Sequence, residues 1–418
     1  MKFNIRKRFL SFLLALVMIL ATLPLGTGSL LAEETLSLNV NEPFNKNVTF
    51  DAGDQTGVKS NSYRIPSMVT LNDGTIVAAA DIRWNTTYDG GGLDTLVARS
   101  TDGGVSWSYV AANYLGDNGN TYNGTQSTCF IDPCLTVAKD GQTVYMLVDL
   151  YPYGIALNGD KDDNPSTEVG FTSDGYLKLQ KSGASDYGYY LKNGLIYSSA
   201  GNPQSRYTVD EYFNLYENNV YVSNLFFENS PFKVVRTGYL YLTKSTDGGA
   251  SWSAPTLLNL KKSSEWVCLV GPGRGITTSK GTMIFPVYSF SGTNDPTGNS
   301  QRLSFIYSTD GVNWSRSADF NYNWASEAAV VELNDGTLRF FFRNGTTNLC
   351  YVDYNLTSNT WGSAKIMTNV DTNSNTQISA IKYSKTVDGK QVILVSCPTG
   401  PSSAGSNLSG ASSRLNGR

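Results

Sequence analysis

Ser100-Thr-Asp-Gly-Gly-Val-Ser-Trp107 and Ser245-Thr-Asp-Gly-Gly-Ala-Ser-Trp252 are two copies of one pattern, S-x-D-x-G-x-x-W, set far apart in a 418-residue chain. Ser308-Thr-Asp-Gly-Val-Asn-Trp314 repeats it one residue shorter, and Asp353 to Trp361 (DYNLTSNTW) reads as a worn fourth copy. Each full copy follows a strand-like run: LVARS, YLYLTKS or SFIYS. In such a segment the Asp accepts nearby backbone N–H groups, a Gly takes a positive φ and the Trp packs beneath the next strand. The pattern therefore predicts a hairpin turn. A second polar turn recurs between apolar runs, as Leu71-Asn-Asp-Gly-Thr-Ile76, Lys139-Asp-Gly141, Lys280-Gly-Thr282 and Leu333-Asn-Asp-Gly-Thr-Leu338. Repetition at the scale of one supersecondary unit marks an array. Strands rich in β-branched and aromatic residues, separated by such turns, predict four-stranded sheets repeated around an axis, an all-β propeller. The turns name a fold and leave the activity open.

Between about Gly154 and Gly238 the rhythm stops. This stretch is rich in Tyr, Asn, Ser and Asp, yet it keeps the strand-like runs YLKLQ and NVYVSNLFF. So many large apolar residues predict an inserted β subdomain (154–238) rather than a disordered linker.

Composition agrees and narrows the chemistry. Forty Gly, 25 Tyr and only 16% charged residues suit a turn-rich β protein. The chain has no histidine. That excludes Ser-His-Asp and Cys-His catalysis, HExxH zinc sites and an imidazole base at neutral pH. Catalysis would have to use carboxylates, arginines, tyrosines, lysines or a bound ion. The five cysteines (Cys129, Cys134, Cys268, Cys350, Cys397) are scattered and form no CxxC pair. They read as small buried apolar residues, a Cys129–Cys134 bridge being the alternative, and no metal or cofactor is expected.

Lys2, Arg6, Lys7 and Arg8 precede an apolar run from Phe9 to about Leu25 and then small residues. This is the form of a secretory signal peptide cleaved near Ala32, and it places the protein outside the cell; a retained membrane anchor is the alternative. Loss of residues 1–32 and their four basic groups moves the net charge from −3 to −7. An acidic exported chain without basic stripes is not a nucleic-acid binder.

Residues that could carry chemistry lie outside the turns. Tyr63-Arg-Ile-Pro66 precedes the first polar turn, and Asp81-Ile-Arg83-Trp-Asn-Thr-Thr-Tyr-Asp89 follows it. Ser326-Glu327, Phe341-Phe342-Arg343-Asn344 and Ser413-Arg414-Leu-Asn-Gly417 come much later. In this order, the segments resemble the bacterial sialidases over nearly the whole chain after the leader. That resemblance implies a six-bladed propeller whose S-x-D-x-G-x-x-W turns are the family's Asp boxes. It also implies an exo-α-sialidase that removes terminal sialic acids from glycoproteins, glycolipids or oligosaccharides with retention.

By the same resemblance, Arg64, Arg343 and Arg414 would grip the substrate carboxylate, a task suited to bidentate guanidinium bonds. Asp89 would be the general acid/base and Glu327 the base for a tyrosine nucleophile, a known exception to the two-carboxylate scheme. Arg83 and Asp132 (in Phe130-Ile-Asp-Pro133) would touch the sugar's substituents, and Tyr151 and Gln301 would line the pocket. The rivals are Asp94 for Asp89, Glu332 for Glu327, Arg339 for Arg343 and Arg418 for Arg414.

The family's tyrosine lies downstream of its last arginine, and nothing here matches it before Arg418. The expectation is a last blade that is incomplete in this chain. Two other readings stay open at this point: a sialic-acid-binding propeller without turnover, and an Asp-box glycosidase acting on neutral polysaccharides.

Overall fold

The computed structural model describes residues 40–84, 87, 89–115, 128–153, 166–291, 301–345, 348–371 and 377–397. The expected leader, Arg414 and Arg418 lie outside these residues. Among them there are 30 strands and no α-helix, so no helix is long and apolar enough to cross a membrane.

The strands form a β-propeller. In the first blade Ser62–Thr70, Ile76–Arg83, Leu93–Ser100 and Ser108–Asn113 pair antiparallel in chain order. In the second, Cys129–Val137 and Val144–Tyr151 are followed by Tyr239–Ser245 and Thr256–Leu258. The third is Glu265–Val270, Met283–Ser291, Gln301–Ser308 and Ser315–Arg316, with Ile276–Thr277 continuing its inner edge. The fourth is Ala328–Glu332, Leu338–Phe342, Asn348–Asn355 and Thr360–Trp361, with Lys365–Asp371 also on the third strand. A hairpin, Ser379–Val387 with Lys390–Ser396, follows. The described residues thus supply four blades and one further hairpin.

The middle strands are sandwiched between neighbouring blades, which is why they read as unbroken apolar runs. Ile76–Arg83 is enclosed along nearly its whole length. Cys134, Leu147, Leu242, Val270, Phe285 and Ile306 fill the space between the second and third blades. Phe305, Phe340, Phe342, Val330 and Val352 do so between the third and fourth. Each buried side chain of this size contributes roughly 1.5–3 kcal/mol of transfer free energy.

At the centre the inner strands meet. The Ser67 hydroxyl accepts the Leu135 N–H at 3.0 Å and donates to the Gly273 carbonyl, so one side chain joins three blades. Gly273 also pairs in parallel with Cys134, and the Gln377 amide donates to the Pro272 carbonyl at 2.7 Å.

The box turns form as the sequence predicts. Asp102 accepts the Val105 and Ser106 N–H groups at 3.1 and 2.9 Å and the Ser106 hydroxyl at 2.6 Å, while Gly103 and Gly104 take φ of 75° and 92°. Asp247 and Asp310 repeat this, and Trp314 packs on Phe285 and Tyr145. The worn copy differs. Its turn is organised by Asn355, which accepts the Thr357 and Ser358 N–H groups, while Asp353 lies on the preceding strand and pairs with Arg339. The box has moved two residues along, with an amide oxygen in place of the carboxylate.

Inside the 154–238 stretch lies a separate seven-stranded antiparallel sheet, from Leu177–Lys181 to Phe232–Val234. It is spliced between the second and third strands of the second blade, which still pair over seven residues, Val144↔Ser245 to Leu150↔Tyr239. Its inner face (Leu179, Ile196, Leu215, Phe226, Phe232) shares one core with Phe130, Leu150 and Tyr239 of that blade. All five cysteines are free thiols, and Cys129 and Cys134 are buried on one strand.

Candidate active site

Polar turns and Asp boxes occupy one end of the blades. At the other end, where inner strands begin and second strands finish, the strands are irregular. The pairing of Ser62–Thr70 slips between Arg64 and Ser67, and Ile65 there has φ of 54°. The second blade repeats the device, slipping between Ile131 and Cys134 with Asp132 at φ 65°. A bulge bends its strand and re-aims side chains. A β-branched Ile at positive φ is an outlier, and such residues cluster at functional sites. In both cases Pro follows, at Pro66 and Pro133, removing one ladder donor where pairing is already broken.

These bulges carry Arg64 and Asp132, while the other charged residues sit at strand ends or in a loop. Arg64 is about two-fifths exposed; its Nη1 donates to Asp89 Oδ1 at 3.1 Å and to the Thr87 carbonyl at 3.0 Å. Arg83, at the end of the second strand, is fully enclosed. Its Nη1 meets the same Asp89 oxygen at 2.6 Å and its Nη2 meets Asp81 Oδ2 at 2.8 Å. Asp89 is therefore held by two arginines while remaining partly open to solvent. On the fourth blade, Glu327 immediately precedes the inner strand and Arg343 follows the second. Arg343 Nη1 donates to Glu327 Oε1 at 2.9 Å, and two backbone bonds, Arg343 N to Glu327 O and Ser326 N to Arg343 O, fix the pair.

Asp132 links the two halves electrostatically. Burial raises its pKa well above the carboxylate range, reinforced by the negative neighbours Asp81, Glu327, Asp149 and Asp89. Asp81 moves up for the same first reason, against the pull of Arg83. Asp149 is also raised by burial, although the Val270 N–H that it accepts at 3.0 Å works the other way. Crowded carboxylates in low dielectric cannot all ionise, so this end can keep acids protonated where others stay charged.

The remaining expected residues are placed as follows. Tyr151 is enclosed in a cluster with Trp266, Leu269 and Tyr288. Gln301 is half-buried and opposite Phe290 at the start of the third strand of the third blade. The rivals lie elsewhere or are otherwise engaged. Asp94 is buried and accepts the Trp84 indole N–H at 2.7 Å. Glu332 accepts the Ser279 N–H and hydroxyl at the turn end. Arg339 makes a two-pronged bond to Asp353 and covers the Tyr351 ring. Two residues of the charged cluster escaped the sequence reading. Asp81 sits two residues before Arg83, hence on the same strand face, a signal that period-two reasoning offers. Tyr288 is buried close enough to Glu327 and Asp132 for their charges to raise its pKa after burial does, and nothing in its strand marks it.

The sequence and the fold resemble those of known proteins. A model of the BNR repeat-like domain matches residues 65–413. The anhydrosialidase of Macrobdella decora is 32% identical over 425 residues, covering 89% of this chain and 54% of its own length. The chain spans about half the length of the curated relatives it matches, such as this one and sialidase B of Streptococcus pneumoniae, of which 57% is covered. Among solved structures, the NanB sialidase of Streptococcus pneumoniae superposes with a TM-score of 0.74 at 27% identity, covering 86% of this chain and 59% of that one. The intramolecular trans-sialidase of Ruminococcus gnavus gives 0.71 at 30% identity, covering 81% and 78%. The repeat-domain model matches most of the chain, and the Ruminococcus gnavus trans-sialidase is 30% identical with 78% of its length covered, so the chain belongs to the BNR-repeat sialidase family.

Proposed function

We propose that this protein is a secreted exo-α-sialidase that removes terminal sialic acids from glycoconjugates with retention of configuration. The observation that carries this reading is the arrangement around Asp89: a partly exposed carboxylate held by Arg64 and Arg83, with Asp132 within the electrostatic reach of both Asp89 and the Glu327–Arg343 pair.

A sialoside carries its own carboxylate on the anomeric carbon. Arg64 and Arg343 present guanidinium groups from the first and fourth blades, suited to gripping it through charge-assisted bonds, and Arg414 would complete the clamp. Two gripping points from different blades fix the ring and spend binding free energy on orientation. Asp89 then protonates the leaving glycosidic oxygen and later activates water. A carboxylate nucleophile would meet the substrate's negative charge; the family uses a tyrosine instead, for which Glu327 would be the base, and no residue up to Arg418 is assigned to that role. Asp132, shifted toward its protonated form, adds little repulsion toward an anionic substrate.

The test is incubation with 3′-sialyllactose and mass analysis of the products. Free sialic acid supports hydrolysis, and a product lighter by one water indicates transfer to the sugar's own hydroxyl, in keeping with the names of two of the relatives. An intact sialoside, or full activity after Asp89→Ala, would sink the proposal. Recovery of the processed protein from the culture medium tests secretion.

A further inference from the structure

We infer that Asp81 is the positioning residue for the acid: it holds Arg83, and through Arg83 it holds Asp89, in register with Asp132. The inference rests on the sialidase reading of the site. The Asp81 carboxylate has no accessible surface, so it can influence a substrate only through its neighbours. Its two oxygens face different blades. Oδ2 accepts from Arg83 Nη2 at 2.8 Å, within the same strand, and Oδ1 accepts the Asp132 backbone N–H at 3.0 Å, across to the second blade. The second bond falls on the residue at φ 65°, in the bulge that presents the Asp132 side chain.

Arg83 completes the chain of contacts. One terminal nitrogen is committed to Asp81, and the other donates to Asp89 Oδ1 at 2.6 Å and the Thr87 carbonyl at 3.0 Å. A planar guanidinium transmits orientation from one carboxylate to the other, as a flexible ammonium would not. Burying such a pair is costly, and apolar side chains of similar volume often pack as stably. Packing alone therefore does not require an acid at position 81. Aligning Asp89 with Asp132 does.

The test uses the full-length protein, Asp81→Asn and Arg83→Lys, with two substrates. In 3′-sialyllactose the leaving sugar hydroxyl needs a proton. In an aryl sialoside the phenolate departs without one. A misplaced acid slows the first, bond-breaking step only where the proton is needed, so kcat/KM, which reports that step, should fall about 100-fold on sialyllactose and less than about 10-fold on the aryl sialoside. Asp89→Ala should show the same asymmetry. Equal losses on both substrates, or a change in KM alone, overturn the proposal. Amide hydrogen exchange gives a readout that does not depend on turnover. Asp81→Asn should speed exchange in the peptide carrying Asp89 and at the Asp132 amide, leaving the Asp-box turns unchanged. Unchanged exchange at both places overturns the proposal as well. Wild-type protein that cleaves neither substrate sinks the sialidase reading, while the exchange result still decides the role of Asp81.

Discussion

The two ends of the propeller are built from the same strands by opposite rules. At the turn end of the first three blades, positive φ angles fall on glycines such as Gly74, Gly104, Gly249 and Gly311. Each Asp there is satisfied by N–H groups within four residues. At the site end, positive φ falls on Ile65, Asp132 and Trp324 as well as on Gly91 and Gly345, and each such non-glycine residue costs roughly 1–3 kcal/mol. The carboxylates there find partners across blades, as Asp81 does with Asp132 and Asp149 with Val270. The turn end is repeated, local and relaxed. The site end repeats its bulge in the first two blades but is long-range and strained, and the surrounding propeller supports it. A substitution at one end should therefore leave the other end's property intact.

The largest expected separation comes from Asp89→Ala. Turnover of 3′-sialyllactose should fall about 10²–10⁴-fold with the melting temperature little changed, because the Asp89 side chain is partly exposed and the enclosed Arg83 keeps Asp81 and the Thr87 carbonyl as partners. Kinetics and calorimetry on one preparation check both halves. A melting temperature that falls in step with activity would erase the distinction between the ends.

Arg343→Lys should lower kcat/KM by about 10–100-fold, since the ammonium keeps the charge but loses the fork that can serve Glu327 and a substrate carboxylate together. A value within twofold of wild type would remove Arg343 from the clamp.

At the opposite end, Asp247→Ala should leave kcat and KM unchanged and lower the melting temperature by roughly 1–2 °C, the scale for losing about 1 kcal/mol in a domain of this size. Loss of activity without loss of stability would show that the boxes do more than close turns.

The smallest effect is the pH dependence of those turns. Although burial opposes it, the hydroxyl and N–H of Ser251 bring Asp247 down to about 2, and Asp102 and Asp310 shift in the same direction through their own turn bonds. A folded value below the ordinary 3.8 means that the stabilisation is complete above about pH 4 and is lost as pH falls through about 2. Melting curves should decline over that window in wild type and more shallowly in Asp247→Ala.

The same contrast explains what could be read in advance. Asp102, Gly103 and Trp107 act within one turn, so their spacing is the structure, and the propeller follows from repetition. Arg64, Asp89, Glu327 and Arg343 can be proposed as site residues only through resemblance, since no local rule separates Asp89 from Asp94 or Arg343 from Arg339. The Trp84 indole engages Asp94, and Asp353 engages Arg339. In the worn copy the reading went astray by two residues, because Asn355 can order a turn as Asp does.

By itself, then, the sequence determined a histidine-free, all-β array of box-closed blades, because short-range hydrogen bonds and strand periodicity are written in neighbouring residues. Only the tertiary structure decided which carboxylates share a guanidinium, that Arg83 is enclosed while Arg64 is open, and that Asp81 bridges two blades. Those facts depend on how bulged inner strands from distant parts of the chain converge at one axis, and no window of sequence contains that geometry.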